Sequence, residues 1–216
     1  MERVSPFLVF FAITILISLN GCAPVTQRTK PNDAAVEFEA EKQREIALKE
    51  MIGYQTRLNQ AGWPILQAGL PLCIDRKGWS LGLYVANKYD FNGAMQDTAV
   101  NTLDMGEVLQ VIFLADNSPS TDAGLKNGDL LLSINSQPVP IGNEASKKFI
   151  PQLKEAMADG KNVDLEVRRS GATEIINLKP VEVCDYPLVL AEDDAVNAFA
   201  DGNQIIITQG MMDFAK

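Results

Sequence analysis

The stretch from Val111 to Pro140, VIFLADNSPSTDAGLKNGDLLLSINSQPVP, decides the fold. Two apolar runs, Val111–Leu114 and Leu130–Ile134, have the short β-rich texture of strands, and the residues between them are turn formers. Ser118-Pro119 opens a short helix that ends at Ala123-Gly124-Leu125. Gly124 supplies a left-handed residue at little cost, and Gly128 permits the tight entry into the next strand. Asn135-Ser136 then makes a turn before Pro138-Val139, where a serine at negative φ costs little. Working outward, SLGLYV (80–85), VLQVIFL (108–114), DLLLSI (129–134) and NVDLEVRR (162–169) continue the strand pattern. One helical stretch, Glu144 to Ala158, sits among them. The reading is a small α+β module without internal repeats.

Composition narrows the chemistry. The chain has 216 residues, 46% of them apolar, which allows a real core. A net charge of -9, with no basic stripe, excludes a nucleic-acid partner. There is no histidine, so no Ser-His-Asp, Cys-His or His-ligated zinc site can form within these residues. Carboxylate and lysine chemistry remain open, but Asp and Glu are scattered in the manner of a solvated surface.

The N-terminus, MERVSPFLVFFAITILISLNGCAP, carries an apolar run from Pro6 to Leu19 that is short for a membrane span and fits a secretory signal. Leu19-Asn20-Gly21-Cys22 resembles the bacterial lipobox. The resemblance implies that residues 1–21 are removed and Cys22 is acylated, which anchors the protein in a lipid membrane of the bacterial envelope, facing the periplasm. Ala23 after the cysteine favours the outer membrane. Residues 22–34 read as a polar tether. Residues 35–72 read as an amphipathic helix and linker, with Ala40, Ala47, Met51, Tyr54 and Leu58 on one apolar stripe. Cys73 and Cys184 bracket residues 73–184. In an oxidising compartment their simplest reading is a disulfide, worth roughly 4 kcal/mol in the chain-entropy view, with buried free thiols as the alternative.

The Ser118-Pro119, Ala123-Gly124-Leu125, Gly128-Asp129 and Asn135-Ser136 series resembles the hallmark of bacterial PDZ domains, and it departs from it only in having Ser136 where glycine is usual. The resemblance implies a groove in which a peptide adds a strand to an exposed edge, and a loop of backbone N–H groups holds its carboxylate. Leu81-Gly82-Leu83 matches the carboxylate loop. The helix opposite offers Phe149, Leu153 and Ser146, the first two of which are equally readable as core. The partners implied are peptide or protein C-termini. The segment from 86 to 106 is an insertion placed to cover or extend this groove.

The chain closes with CDYPLVLAEDDAVNAFADGNQIIITQGMMDFAK (184–216). Asn197-Ala198-Phe199-Ala200, the run Ile205, Ile206, Ile207, Thr208, and Gly210 resemble the entry into the catalytic domain of the HtpX and CaaX-prenyl-protease-like zinc metallopeptidases. In that family such a strand lies beside the substrate, and a His-Glu-x-x-His helix follows. Residues 185–216 therefore read as the start of an incomplete metallopeptidase domain, poorly ordered or borrowing a partner strand, with zinc and catalysis expected only in a segment further on. Two functions follow. One is the N-terminal portion of a lipoprotein metalloendopeptidase whose PDZ module recruits or gates substrates. The other is a non-catalytic periplasmic peptide-binding lipoprotein.

Overall fold

A computed structural model describes residues 32–215. The signal sequence, Cys22 and all of the tether but its last residues lie outside that range. The chain divides into two compact units, 1–37 and 38–216. Of the first, the described residues are the capped start of helix α1 (Asp33–Ala68), where Asn32 Oδ1 accepts from the Ala34 N–H at 3.1 Å. Everything below concerns the second unit.

The main sheet is antiparallel and runs β2 (Leu83–Ala86), β3 (Gln110–Leu114), β4 (Leu130–Ile134), β6 (Val163–Arg169), β7 (Ala172–Leu178), with the short β5 (Gln137–Pro138) paired to β4. Its logic is a period of two. Val163, Leu165 and Val167 in β6 are fully buried, while Asp164 and Arg168 on the other face are exposed. Helix α4 (Ala145–Ala156) lays Ala145 and Phe149 on that face, completing a core with Leu109, Val111, Leu131 and Leu178.

Local chemistry holds the connections. Ser118 caps α3 (Pro119–Asp122) by accepting from the Thr121 N–H at 3.3 Å, and Gly124 and Gly128 take φ of 86° and 90°. Asp129, 1% exposed, receives a bidentate grip from Arg169, Nε to Oδ1 at 2.7 Å and Nη2 to Oδ2 at 2.6 Å. The Lys126 N–H donates to the same carboxylate at 2.8 Å. One expectation is corrected here. Asn135 and Ser136 both adopt positive φ, 49° and 66°, because a two-residue loop must match the twist of β4 and β5. Serine therefore carries a left-handed cost of about 1–2 kcal/mol that glycine would not.

Before the main sheet, β1 (Lys77–Ser80) pairs antiparallel with β8 (Val181–Cys184), with Lys77 opposite Cys184 and Ser80 opposite Val181. Cys73 and Cys184 form a disulfide beside this ladder, with Cα atoms 5.7 Å apart across 111 residues of sequence. The insertion folds as a 3-10 turn (Lys88–Asp90) and α2 (Ala94–Leu103), packed with α1 over the outer face of β2 and β3 through Leu48, Ala86, Ala99 and Met105. Within α1 the buried positions are Leu48, Tyr54, Leu58, Gly62 and Trp63, so that Tyr54 and Leu58 of the expected stripe are buried whereas Ala47 is exposed. The helix meets different neighbours along its length, so its apolar positions do not keep one stripe.

The ending is ordered. Strands β9 (Leu188–Ala191), β10 (Ala198–Ala200) and β11 (Ile205–Thr208) form a sheet in the order β10-β11-β9, followed by α5 (Gln209–Phe214). Instead of the expected disorder or borrowed strand, β9 and β10 of the same chain pair with β11, and Leu188, Leu190 and Ile207 pack on Tyr54 and Leu58 of α1 and on Met212 of α5. Buried Thr208 ties the turn, accepting from the N–H groups of Asn197 at 3.1 Å and Met211 at 3.2 Å. Gly210 is required because a Cβ there would overlap the carbonyl of Asp194. Among the described residues no helix is long and apolar enough to cross a membrane.

Candidate functional site

Strand β2 is one edge of the main sheet, hydrogen-bonded only to β3, and its free side faces α4. Between them lies a cavity of about 410 Å³. Leu81, Gly82, Leu83, Phe149 and Leu153 all line it, so the residues expected to bind a peptide converge on one cleft. Phe149, 2% exposed, is also part of the main core, and Leu153 packs against that core from a half-buried position.

The backbone of the loop is aimed by its own carbonyls. The Ser120 N–H donates to the Leu81 carbonyl at 3.2 Å, and the Ala115 N–H donates to the Gly82 carbonyl at 2.8 Å. Each peptide plane is trans, so the following N–H points the opposite way. The Gly82 N–H accordingly turns from Ser120 and donates to Ser80 Oγ at 3.2 Å. The Leu83 N–H turns from β3 toward the open edge, as the ladder also requires, since Leu83 and Leu114 are a non-bonded pair flanked by bonded ones. Gly82 is needed for two reasons: its φ is 69°, and a Cβ there would meet Ser118 Cβ at 2.5 Å and Trp63 Cη2 at 3.3 Å.

The cleft is walled by more than the expected residues. Trp63 of α1, Met157 and the segment Val183 to Leu188 line it. Lys154 of α4 pairs with Asp185 at 2.8 Å, and Arg76 lies 4.7 Å from the centre of the Tyr186 ring. Ser146 also lines the cleft and donates to Asp90 Oδ2 at 2.6 Å. Sequence reading took residues 35–72 as an amphipathic helix and linker, with Leu58 the last residue on its stripe, and so missed Trp63, which lies within α1. The tryptophan itself was the available signal, a large apolar residue just past a polar run. No spacing announces the approach of residues 183–188.

The second set of expected residues is elsewhere. Asn197, Ala198 and Phe199 lie at and within β10, whose residues are exposed, and none lines the cleft. Ile205, Ile206 and Ile207 are corrected: β11 is the middle strand, paired antiparallel to β10 and parallel to β9, so it has no free edge to lie beside a substrate. Its apolar side chains recruited neighbours on both sides. Among the described residues no group of three or more His, Cys, Asp or Glu side chains could hold a metal ion.

Residues 80–179 match the family described as PDZ domain, so the chain carries a PDZ domain. Similar solved structures include the HtrA3 PDZ domain bound to a phage-derived ligand, FGRWV, at 21% identity, covering 50% of this chain and 88% of that one, TM-score 0.36. The PDZ domain of EpsC from Vibrio cholerae is 13% identical, covering 46% of this chain and 94% of that one, TM-score 0.28. A photosystem II D1 C-terminal processing protease is 15% identical, TM-score 0.34, with 50% of this chain covering 24% of that one. No curated protein matches the chain.

Proposed function

We propose that the cleft between β2 and α4 binds the C-terminal ends of peptides or unfolded proteins, each adding a strand to β2 and presenting its carboxylate to the loop Leu81-Gly82-Leu83. The observation that carries this reading is the open edge of β2 beside a loop whose Leu83 N–H faces the cleft. The terminal side chain then enters the apolar space between Phe149 and Leu153. Ser80 Oγ occupies the Gly82 N–H until a carboxylate, the stronger acceptor, replaces it. Gly82→Ala should weaken binding of a peptide selected from a C-terminal display library at least tenfold, because the methyl group collides with Ser118. Unaltered affinity in a folded Gly82→Ala protein would refute the loop assignment.

The setting we propose is the periplasmic side of a bacterial envelope, with Cys22 acylated as its lipobox suggests. Labelling with an acyl probe that persists in Cys22→Ala would contradict this. Within that setting the cleft recruits or gates substrates for a metalloendopeptidase of the HtpX-like type. Two features support that role. Asn197 to Gly210 carry the family's entry pattern, and the segment Asp185-Tyr186-Pro187-Leu188 both lines the cleft and leads into β9, so an occupant touches the route into the C-terminal layer. A second reading, a non-catalytic peptide-binding lipoprotein, rests on the absence of histidine from the chain.

A further inference from the structure

Behind β2, on the side away from α4, lies a second cavity of about 430 Å³. Its walls are Met51 and Ile52 of α1, Phe91 and Met95 of the insertion, and Tyr84 and Ala86 of β2. Among the described residues, the charged ones lining it are Asp90 and Glu192. Glu192 is exposed. Asp90 uses one oxygen, Oδ2, for the Asn87 N–H at 2.7 Å and the Ser146 hydroxyl at 2.6 Å.

The two cavities meet at β2, and Tyr84, Asp90 and Phe113 line both. Along β2 the side chains alternate: Leu83 and Val85 face the main core, whereas Ala86 faces the α1–α2 layer and Tyr84 lines the second cavity. Opposite them, the register between β2 and β3 slips after Tyr84, so that Val85 pairs with Val111 and Ile112 is the extra residue, turned toward the second cavity. A strand added to the free edge of β2 must alternate in the same way. If its terminal side chain and the second one before it enter the cleft, the penultimate and the third one before it face the second cavity.

Building on the proposed peptide-binding function, we infer that this second cavity is a specificity site that takes a long cationic side chain, lysine or arginine, from one of those two alternating positions of the same peptide. The apolar wall, with two adaptable methionines, suits the aliphatic stem, and the acidic rim suits the charged head. Asp90 sits between the two cavities, so its carboxylate is within the reach of a strand on β2. Much of the wall belongs to α1 and the insertion, elements outside the main sheet, and most of the rest to β2 and β3.

The test uses the full chain and fluorescein-labelled heptapeptides ending in valine with a free carboxylate, in an alanine host. Lysine, methionine, alanine or glutamate is placed at the penultimate position or at the third one before the terminus, and binding is read by anisotropy. Lysine at one of these positions should bind roughly 3–10-fold more tightly than alanine, and glutamate more weakly than alanine. Glu192→Lys should invert the ratio of lysine to glutamate affinities. If the alanine peptide binds and loses affinity on amidation, yet lysine, alanine and glutamate agree within about twofold at both positions, the cleft stands and this inference falls. Methionine equal to lysine, or an unchanged ratio in Glu192→Lys, likewise overturns it. No binding by any free-acid peptide overturns the cleft and the inference together.

Discussion

The PDZ domain and the C-terminal layer are built from strands of similar length, yet they close in different ways. In the PDZ domain one face of every central strand is sealed by α4 and by its own loops, so that Leu109, Val163, Leu165, Val167 and Leu178 are wholly buried. In the C-terminal layer Thr208 is the one buried residue of its three strands, and the apolar face is covered by Tyr54 and Leu58 of a helix that lies more than a hundred residues earlier in sequence. The first carries its core within itself. The second borrows half of its core. The proposed carboxylate loop therefore sits on the self-sealed element, and residues 183–188, which wall the cleft, lead into the C-terminal layer.

That contrast can be broken at its strongest point. Removing Asp129 takes away the buried carboxylate that accepts from Arg169 Nε, Arg169 Nη2 and the Lys126 N–H, leaving Arg169 only the exposed carboxylate of Glu174 at 3.1 Å, so Asp129→Ala should cost the PDZ domain about 3–5 kcal/mol, read by urea unfolding of the full chain. A loss below about 1 kcal/mol would mean that the turn does not depend on this pair. A smaller and more local effect is expected in the other region. Leu58→Ala removes a buried leucine from the borrowed face and should cost about 2–4 kcal/mol there. Hydrogen exchange should accelerate in Leu188–Ala191 and Ile205–Thr208 while Val163–Val167 keeps its protection. Uniform acceleration would show that the two regions unfold as one unit.

The same contrast explains what the sequence made legible. Ser118, Gly124 and Gly128 act within a few residues of themselves, through a cap and two left-handed turns, and each was readable in place, whereas the grip of Arg169 on Asp129 spans forty residues. Leu81 to Leu83 and Phe149 with Leu153 were placed by the resemblance to PDZ domains, and the structure brings them to one cleft, although nothing local distinguished core from cleft for Phe149. The left-handed Ser136 was not readable, because hairpin twist selects that conformation and serine only tolerates it. Trp63, Lys154 with Asp185, and the cover over β11 depend on contacts between distant segments. The isoleucine run showed that a strand existed, but its position in the middle of a sheet was set by β9 and β10.

The account stands most directly on the loop N–H groups meeting a terminal carboxylate. A single selected heptapeptide should be titrated into the full chain by calorimetry as the free acid and as the C-terminal amide. Charge-assisted hydrogen bonds of this kind contribute roughly 1.5–3 kcal/mol, so the amide should bind about 10–100-fold more weakly. Equal affinity of the two forms would contradict the account.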